Sequence, residues 1–273
     1  MPHLVTARLI VRPSTSRRVP SPGGPMCTVV VSIAPDAEWP VVLFGLRDES
    51  PDRPWDEPGA WWPELGDRVT GVHDREAGGA WLAVADDPSR ASVVLNRHEE
   101  PPVPEGGWAT RGSLPLRAAA DGVLPVGPQR TRTFNLLTAD RGGATHSTWD
   151  GSITTTTRLA PGVHVLTHAA PDDRSVPRVD RWLPRFRDVA PPAGPLGSAG
   201  EGEGAWGPWL DLLRESSRLA PDDDDALIRS DLVDGRLFSS LSLSAVAVSA
   251  DRVAHRHIRL DGAPSVEAAL SRR

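Results

Sequence analysis

Cys27 is the residue of this chain best suited to take part in a chemical reaction, and it is the only cysteine among 273 residues. A lone cysteine cannot form an intrachain disulfide or a site built from several thiolates. It directly follows Met26, so removal of that methionine would leave one residue with a thiol and a free α-amine. Their ordinary pKa values are about 8.5 and about 7.7–8.0, so the amine can take the thiol proton and the sulfur can act as a nucleophile. The alternative interpretation is a small buried hydrophobic residue on a strand.

Short apolar strands must position this residue. Residues 27–33 and 41–46 are predicted to be neighbouring strands, and further strands are predicted at 68–72, 80–85, 91–96, 133–139, 144–149, 163–167, 237–249 and 253–260. Apolar spacing predicts helices at 111–120, 178–187 and 206–219. Residues 50–66 and 189–204 are predicted loops. Strands from both ends that flank central helices indicate an α+β fold with layered antiparallel sheets, in a single domain over residues 27–273.

Composition excludes several classes of function. The net charge is −6 and no basic patch is interleaved with aromatic residues, which argues against nucleic acid as a partner. No stretch approaches the roughly 20 apolar residues of a transmembrane helix. A single cysteine is typical of a reducing, cytoplasmic environment. All 30 basic residues are arginine, a bias expected of a GC-rich bacterial genome.

The first 26 residues have a different composition from the rest of the chain. They are basic, rich in Ser and Pro, and contain no acidic residue. This pattern is typical of a transit peptide, but a start codon assigned too early explains it as well. Under either interpretation residues 1–26 are predicted to lie outside the folded domain.

Several motifs occur in an order that resembles one family. They are Met26-Cys27-Thr28, Gly45-Leu46-Arg47-Asp48-Glu49, Gly78-Gly79-Ala80-Trp81, Val94-Leu95-Asn96-Arg97, Phe134-Asn135-Leu136-Leu137 and the segment that ends at His168. This order resembles the NRDE family, also called Transport and Golgi organisation 2-like, over most of residues 27–260. That family is similar to the N-terminal-nucleophile hydrolases, so the resemblance implies a four-layer αββα sandwich of two antiparallel sheets.

The resemblance also implies catalytic roles for named residues. Arg47 beside the sulfur of Cys27 would stabilise a thiolate, and Asp48 would accept a hydrogen bond from the α-amine. Asn96 at a strand end would donate a hydrogen bond to an oxyanion. Alternatively, residues 47–49 form a solvated turn and Asn96 caps a turn.

The chain departs from the family pattern at four positions. Leu46 stands where the family has Asn, Gly45 where it has an Ala-type residue, and Ala80 where it has Thr. His168 occupies the position of a second Asn in the acylases; a neutral imidazole can still donate one hydrogen bond to an oxyanion.

Aromatic residues supply candidates for substrate binding. Trp55, Trp61 and Trp62 lie in one predicted loop and Trp81 on a strand, where they can line a pocket for an acyl group. The loop tryptophans can instead pack over the outside of a sheet. The histidines show no metal-ligand spacing, so no metal or cofactor is predicted. His255 and His257 alternate on a strand and are interpreted as a partly exposed pair.

Two functions from different classes remain open at this point. The first is an amidohydrolase that acts on a small acyl amide with Cys27 as nucleophile. The second is a non-catalytic protein on the same fold that binds or transports a hydrophobic ligand such as haem, a lipid or acyl-CoA, as the resemblance to this family implies.

Overall fold

Two antiparallel sheets form the centre of the structure, a computed structural model that describes residues 27–194, 196, 206–261 and 266–270. The first sheet has the strand order β10-β1-β2-β12-β11, with β13 also paired to β12. Its strands are β1 (Thr28–Ile33), β2 (Val41–Glu49), β10 (Gly162–Leu166), β11 (Ser230–Val233), β12 (Arg236–Val248) and β13 (Val253–Arg259). Strands from the two ends of the chain therefore meet at β2 and β12.

The second sheet is a meander in which consecutive strands are neighbours. Its strands are β3 (Trp55–Gly59), β4 (Val69–Asp74), β5 (Ala80–Asp86), β6 (Ser89–Asn96), β7 (Phe134–Asp140), β8 (Gly143–Trp149) and β9 (Thr154–Arg158). A short 3₁₀ helix, Pro63–Leu65, lies between β3 and β4. Local connections are enough to build this sheet.

Alternation along the strands explains the packing of the two sheets. Val29 and Val31 of β1 belong to the apolar cluster between the sheets, together with Leu82 and Leu136 of the second sheet. Val30 belongs to the cluster on the opposite face of the first sheet. Both faces of β1 are therefore buried, as its uninterrupted apolar sequence requires.

Helices cover the outer faces of both sheets. The helix α3 (Gly207–Ser216) packs Trp209 edge-on against Phe44 of β2. Trp182 of α2 (Pro177–Asp188) belongs to the same apolar cluster. The helix α1 (Ser113–Asp121) packs on β5 and β6, and α4 (Val266–Leu270) follows β13. The layers are helix, sheet, sheet and helix, so the predicted α+β, αββα sandwich is confirmed.

The strand and helix predictions agree with the structure except in the loops. Residues 50–66, predicted to be irregular, contain β3 and the 3₁₀ helix, and β9, β11 and α4 were not predicted. The acidic run at 222–225 forms turns that lead into β11. The predicted leader at 1–26, and residues 195 and 197–204 of the predicted loop at 189–204, lie outside the described residues. Within the described part of the chain, no helix is long and apolar enough to cross a membrane.

Candidate active site

A cavity of about 470 Å³ opens where the end of β2 faces β5 and β6. Four of the five predicted catalytic residues contribute to its wall, namely Cys27, Arg47, Asp48 and Asn96. Trp81 is the one predicted substrate-binding tryptophan that lines it. The fold therefore brings together residues that lie almost 70 positions apart in the sequence.

The thiol of Cys27 is held by the backbone of Asp48. Register pairs Thr28 with Leu46, so Cys27 comes next to Arg47 at the end of β2. The amide N–H of Asp48 donates to Cys27 Sγ over 3.4 Å, and the thiol lies 3.7 Å from the Asp48 carbonyl oxygen that accepts from it. These two contacts fix the sulfur at the cavity wall.

Burial makes this thiol a weak acid. Desolvation and the negative charge of Asp48 raise the pKa of Cys27 to about 12, although the Asp48 N–H and Arg47 act in the opposite direction. Arg47 acts on the thiol pKa in the expected direction, but desolvation of the thiol has the larger effect. A single nearby guanidinium does not offset complete burial.

Arg47 extends toward the second sheet and is almost fully buried. Its Nη2 lies 3.9 Å from a carboxylate oxygen of Glu49, and its guanidinium carbon lies 5.8 Å from the centre of the Trp55 ring. Its Nη1 has no hydrogen-bond partner among the described residues. Arg47 is thus a buried cation, and the N–H donors of its Nη1 are unused among the described residues.

The carboxylate of Asp48 lies on the opposite face of the first sheet from Cys27 and Arg47. Ser240 Oγ donates to Asp48 Oδ1 over 2.5 Å, and Arg178 Nη1 lies 3.8 Å from Oδ2. Arg178 Nη1 also donates to Thr28 Oγ1 over 3.3 Å. Burial raises the pKa of Asp48 to about 6, against the opposing effects of Arg178 and Ser240. Asp48 Oδ2 accepts no hydrogen bond from the described residues.

Asn96 and His168 end up in different surroundings. Asn96 is the last residue of β6 and lines the cavity. His168 is not among the lining residues; its ring stacks on that of His98, with centroids 4.0 Å apart and an angle of 10°. Burial, followed by the effects of His98 and Arg178, lowers the pKa of His168 to about 4. Asn96 can therefore contact a ligand in the cavity, whereas the ring of His168 packs against His98.

Asn135 organises the segment that carries His168, a role that the sequence reasoning missed. Its side-chain Nδ2 donates to the carbonyl oxygens of Thr167 and Ala169, both at 2.8 Å. Its Oδ1 accepts from His146 Nε2 at 3.0 Å and from Arg97 Nη1 at 3.2 Å. The signal in the sequence was an amide within the apolar run Phe134-Asn135-Leu136-Leu137, because a buried amide must find partners.

Two further cavity residues, Trp108 and Arg111, were also missed. They lie in the segment before α1, which meets the start of β5 at Gly79 and Gly112. A Cβ added to Gly79 would lie 2.5 Å from the backbone of Gly112, and Ala80 N–H donates to the Gly112 carbonyl oxygen over 2.9 Å. This close approach of two glycines holds the segment against the cavity.

The three other tryptophans do not line the cavity. Trp62 packs under α1 and donates to the Gly78 carbonyl oxygen, whereas Trp61 is 45% exposed and stacks on His73. Trp55 lies between the guanidinium groups of Arg47 and Arg259. The prediction that these tryptophans form the acyl pocket is therefore not supported by their positions. Trp62 lies on the face of the second sheet that α1 covers, whereas Trp55 faces the first sheet and packs with Leu241 of β12.

No group of three or more His, Cys, Asp or Glu side chains suited to a metal ion occurs among the described residues. His255 and His257 lie on β13 with ring centroids 6.2 Å apart, and His257 Nδ1 bonds Ser244 Oγ at 3.0 Å.

Comparison with known proteins identifies one family. The family model described as Transport and Golgi organisation 2 matches residues 26–226. The match begins at the Met26-Cys27 pair and ends before β11, so the three C-terminal strands lie outside it. A search of curated proteins found no match.

Proposed function

This chain belongs to the Transport and Golgi organisation 2 family, and on that premise we propose that it is an N-terminal-nucleophile amidohydrolase that acts on a small acyl amide. The observation that carries the proposal is the position of Cys27. Its sulfur is fixed by the Asp48 backbone at the wall of a cavity that Arg47 and Asn96 also line.

The raised thiol pKa bears directly on this proposal. With its nitrogen in a peptide bond, Cys27 has a pKa of about 12 and contributes almost no thiolate at neutral pH. Removal of Met26 supplies an α-amine on the same residue, which is a base for the thiol proton and, once protonated, a positive charge beside the sulfur. The proposal therefore requires that the mature chain begins at Cys27.

The steps follow from the residues at hand. The α-amine takes the thiol proton, and the sulfur attacks the amide carbonyl carbon to form a tetrahedral intermediate. The side-chain amide of Asn96 donates to the oxyanion. The ammonium returns the proton to the leaving amine as the C–N bond breaks, and water then hydrolyses the thioester through the same amine. Asp48 Oδ2, which is buried and accepts no hydrogen bond from the described residues, is the acceptor proposed to orient the α-ammonium.

The test uses protein purified from its native host. Intact mass shows whether the chain begins at Cys27, and a panel of acyl amides is then assayed with the native protein and with Cys27→Ser and Cys27→Ala variants. We expect turnover by the native protein and none by Cys27→Ala. A chain that keeps Met26 and still hydrolyses the panel would refute the proposed role of the α-amine.

The burial of Cys27 favours a second candidate, a non-catalytic protein that binds a hydrophobic ligand such as haem or an acyl-CoA. A thiol inside the apolar cluster between the sheets is typical of a structural cysteine. Saturable binding of haem or acyl-CoA, together with an inert amide panel and a Cys27→Ala variant that binds equally well, would support this candidate over the hydrolase.

We propose that residues 27–273 form one domain, because β12 and β13 from the C-terminal end pair into the same sheet as β1 and β2. We also propose a cytoplasmic location, because a chain with a single, unpaired cysteine is typical of a reducing compartment.

A further inference from the structure

We propose that the cavity selects ligands that carry an anionic oxygen group, a carboxylate or a phosphate, and that Arg111 is the specificity-determining residue for that group. The inference names the substrate class of the proposed hydrolase and to that extent rests on the proposed function. It is carried by the pattern of paired and unpaired charges around the cavity.

Arg53, one of four arginines at the cavity, is neutralised by carboxylates of the chain. It lies 2.8 Å from Asp74, 2.8 Å from Glu76 and 3.8 Å from Glu49. These contacts engage two of the three carboxylates that line the cavity. The third, Asp48, interacts on the opposite face of the sheet with Ser240 and Arg178. The carboxylates at the cavity therefore have partners of their own.

Arg111 and Arg132, unlike Arg53, are not neutralised by a carboxylate of the described chain. Among the described residues, neither has a carboxylate oxygen within 4.0 Å, and both line the cavity. Arg111 is largely buried and donates from Nη1 to the Thr133 carbonyl oxygen over 2.9 Å, whereas Arg132 is exposed at the rim. A guanidinium has five N–H donors, and one backbone carbonyl uses only part of that capacity.

Two other buried donors belong to cavity residues. Arg47 Nη1 and Trp81 Nε1 are both inaccessible to solvent and have no hydrogen-bond partner in the described chain. Because solvent does not reach these two atoms, a ligand in the cavity would contact them only after their side chains shift, so the anion site depends on Arg111 and Arg132.

The electrostatics of Arg111 agree with this arrangement. Burial and then the positive charge of Arg132 lower its pKa to about 10, while the negative charges of a Cys27 thiolate and Glu49 act in the opposite direction. An anion between the two guanidinium groups would relieve their repulsion and replace the lost solvation of Arg111.

The shape of the cavity indicates the remainder of the ligand. A volume of about 470 Å³ is within the range of small-molecule sites, and Trp81, Trp108 and Phe238 supply apolar wall. An acyl amide with an apolar acyl chain and a carboxylate or phosphate on its amine part matches both the aromatic side chains and the guanidinium groups of the wall.

The single cysteine allows a test that needs no natural substrate. Cys27 is alkylated with iodoacetate, which is anionic, or with iodoacetamide, its neutral counterpart, and the rates are followed by intact mass. The rate with iodoacetate is divided by the rate with iodoacetamide, and this ratio is compared with the same ratio for N-acetylcysteine. We expect the ratio at Cys27 to exceed that of N-acetylcysteine by about tenfold, because a nearby guanidinium pair favours the anionic reagent. The excess should decrease with added salt.

Substitution of Arg111 tests its role in this preference. Arg111→Gln should abolish the excess and Arg111→Lys should keep part of it, because lysine retains the charge but not the planar donor pair. Arg117→Gln, the same change at an exposed position of α1, is the matched control and should leave the ratio unchanged. Equal ratios in the native and Arg111→Gln proteins would overturn the proposal.

A second measurement decides the matter if the thiol is unreactive toward both reagents. Melting temperatures are recorded with N-hexanoylglycine, with its neutral amide, and with inorganic phosphate. N-hexanoylglycine should raise the melting temperature of the native protein, and its apparent affinity should fall by at least about tenfold in Arg111→Gln; this result supports a carboxylate ligand. The same result with phosphate alone supports a phosphate ligand. Equal stabilisation by the acid and its amide, or by none of the three, refutes the anion site. None of these results depends on hydrolysis, so failure of the hydrolase proposal would be seen separately.

Discussion

Ser240 donates a hydrogen bond to Asp48 over 2.5 Å, although 192 positions separate them in the sequence. The contact depends on a β-bulge in β12, where the register with β2 shifts between Ser240 and Ser242. The bulge places Ser240 opposite Asp48 and Ser242 opposite Arg47, and so supplies the Asp48 carboxylate with a partner on the helix-covered face.

The burial of Asp48 predicts a pH dependence of stability. Its pKa is raised from 3.8 to about 6 in the folded state, so the folded state holds the proton more tightly than the unfolded chain. The contribution of Asp48 to stability is therefore present below pH about 4 and lost as the pH rises to about 6, with an upper limit of about 3 kcal/mol.

Asp48→Asn removes this titration. We expect the variant to gain stability relative to the native protein between pH 4 and pH 7, as measured by urea unfolding at several pH values. Asp52→Asn, at an exposed position, controls for the loss of one negative charge. A constant difference across this pH range would contradict the prediction.

The reactivity of Cys27 should depend on whether its nitrogen is free. In a chain that retains Met26, burial raises the thiol pKa to about 12, and the rate of alkylation by iodoacetamide should still increase above pH 10. In a chain that begins at Cys27, the α-ammonium should move this rise to lower pH. Mass spectrometry of both forms over a pH series provides the measurement, and identical profiles would show that the amine does not activate the thiol.

Asn96 and His168 should differ in their effect on turnover. Asn96 lines the cavity, so Asn96→Ala is expected to lower kcat by about 10²–10³-fold, the usual loss for an oxyanion donor. His168→Ala should lower kcat by less than about tenfold, because His168 stacks on His98 and does not line the cavity. The reverse order would assign the oxyanion contact to His168.

Asn135→Ala should destabilise the fold. The substitution leaves His146 Nε2 and Arg97 Nη1 without their acceptor and frees two carbonyl oxygens, of Thr167 and Ala169. Unsatisfied buried groups cost about 1–3 kcal/mol each, so we expect a loss of at least about 2 kcal/mol in the free energy of unfolding. Chemical denaturation measures the loss. A loss below about 0.5 kcal/mol would show that water replaces the amide.

Gly45→Ala should disturb the cavity through Trp81. A Cβ at position 45 would lie 2.9 Å from the Trp81 ring, so the ring must move. We expect a cost of about 1–3 kcal/mol in unfolding free energy and a change in tryptophan emission. Gly207→Ala is the matched control, because nothing lies within 4 Å of its Cβ position. Equal effects of the two substitutions would contradict this explanation.

Much of the fold was predictable because strands and amphipathic helices have local periodicity. The alternation of Ser with Leu and Val over residues 237–249 and the apolar run at residues 27–33 both predicted strands, and β12 and β1 form there. Alternation favours a strand with one buried face, but residues 240–248 are buried on both faces. The order of the motifs around Cys27, Arg47 and Asn96 likewise predicted residues that the cavity brings together.

The sequence could not show which faces and loops converge. Strand alternation directs Arg47 and Asp48 to opposite faces of one sheet, and only the bulge at residues 240–242 supplies Asp48 with its partner there. Arg111 reaches the cavity because two glycines allow backbones distant in sequence to touch, and Trp61 and Trp62 leave it because β3 joins the second sheet. The thiol pKa depends on burial by both sheets. Local sequence fixes the period of each element, whereas the charges and walls of the site arise from the packing between elements, which only the tertiary structure decided.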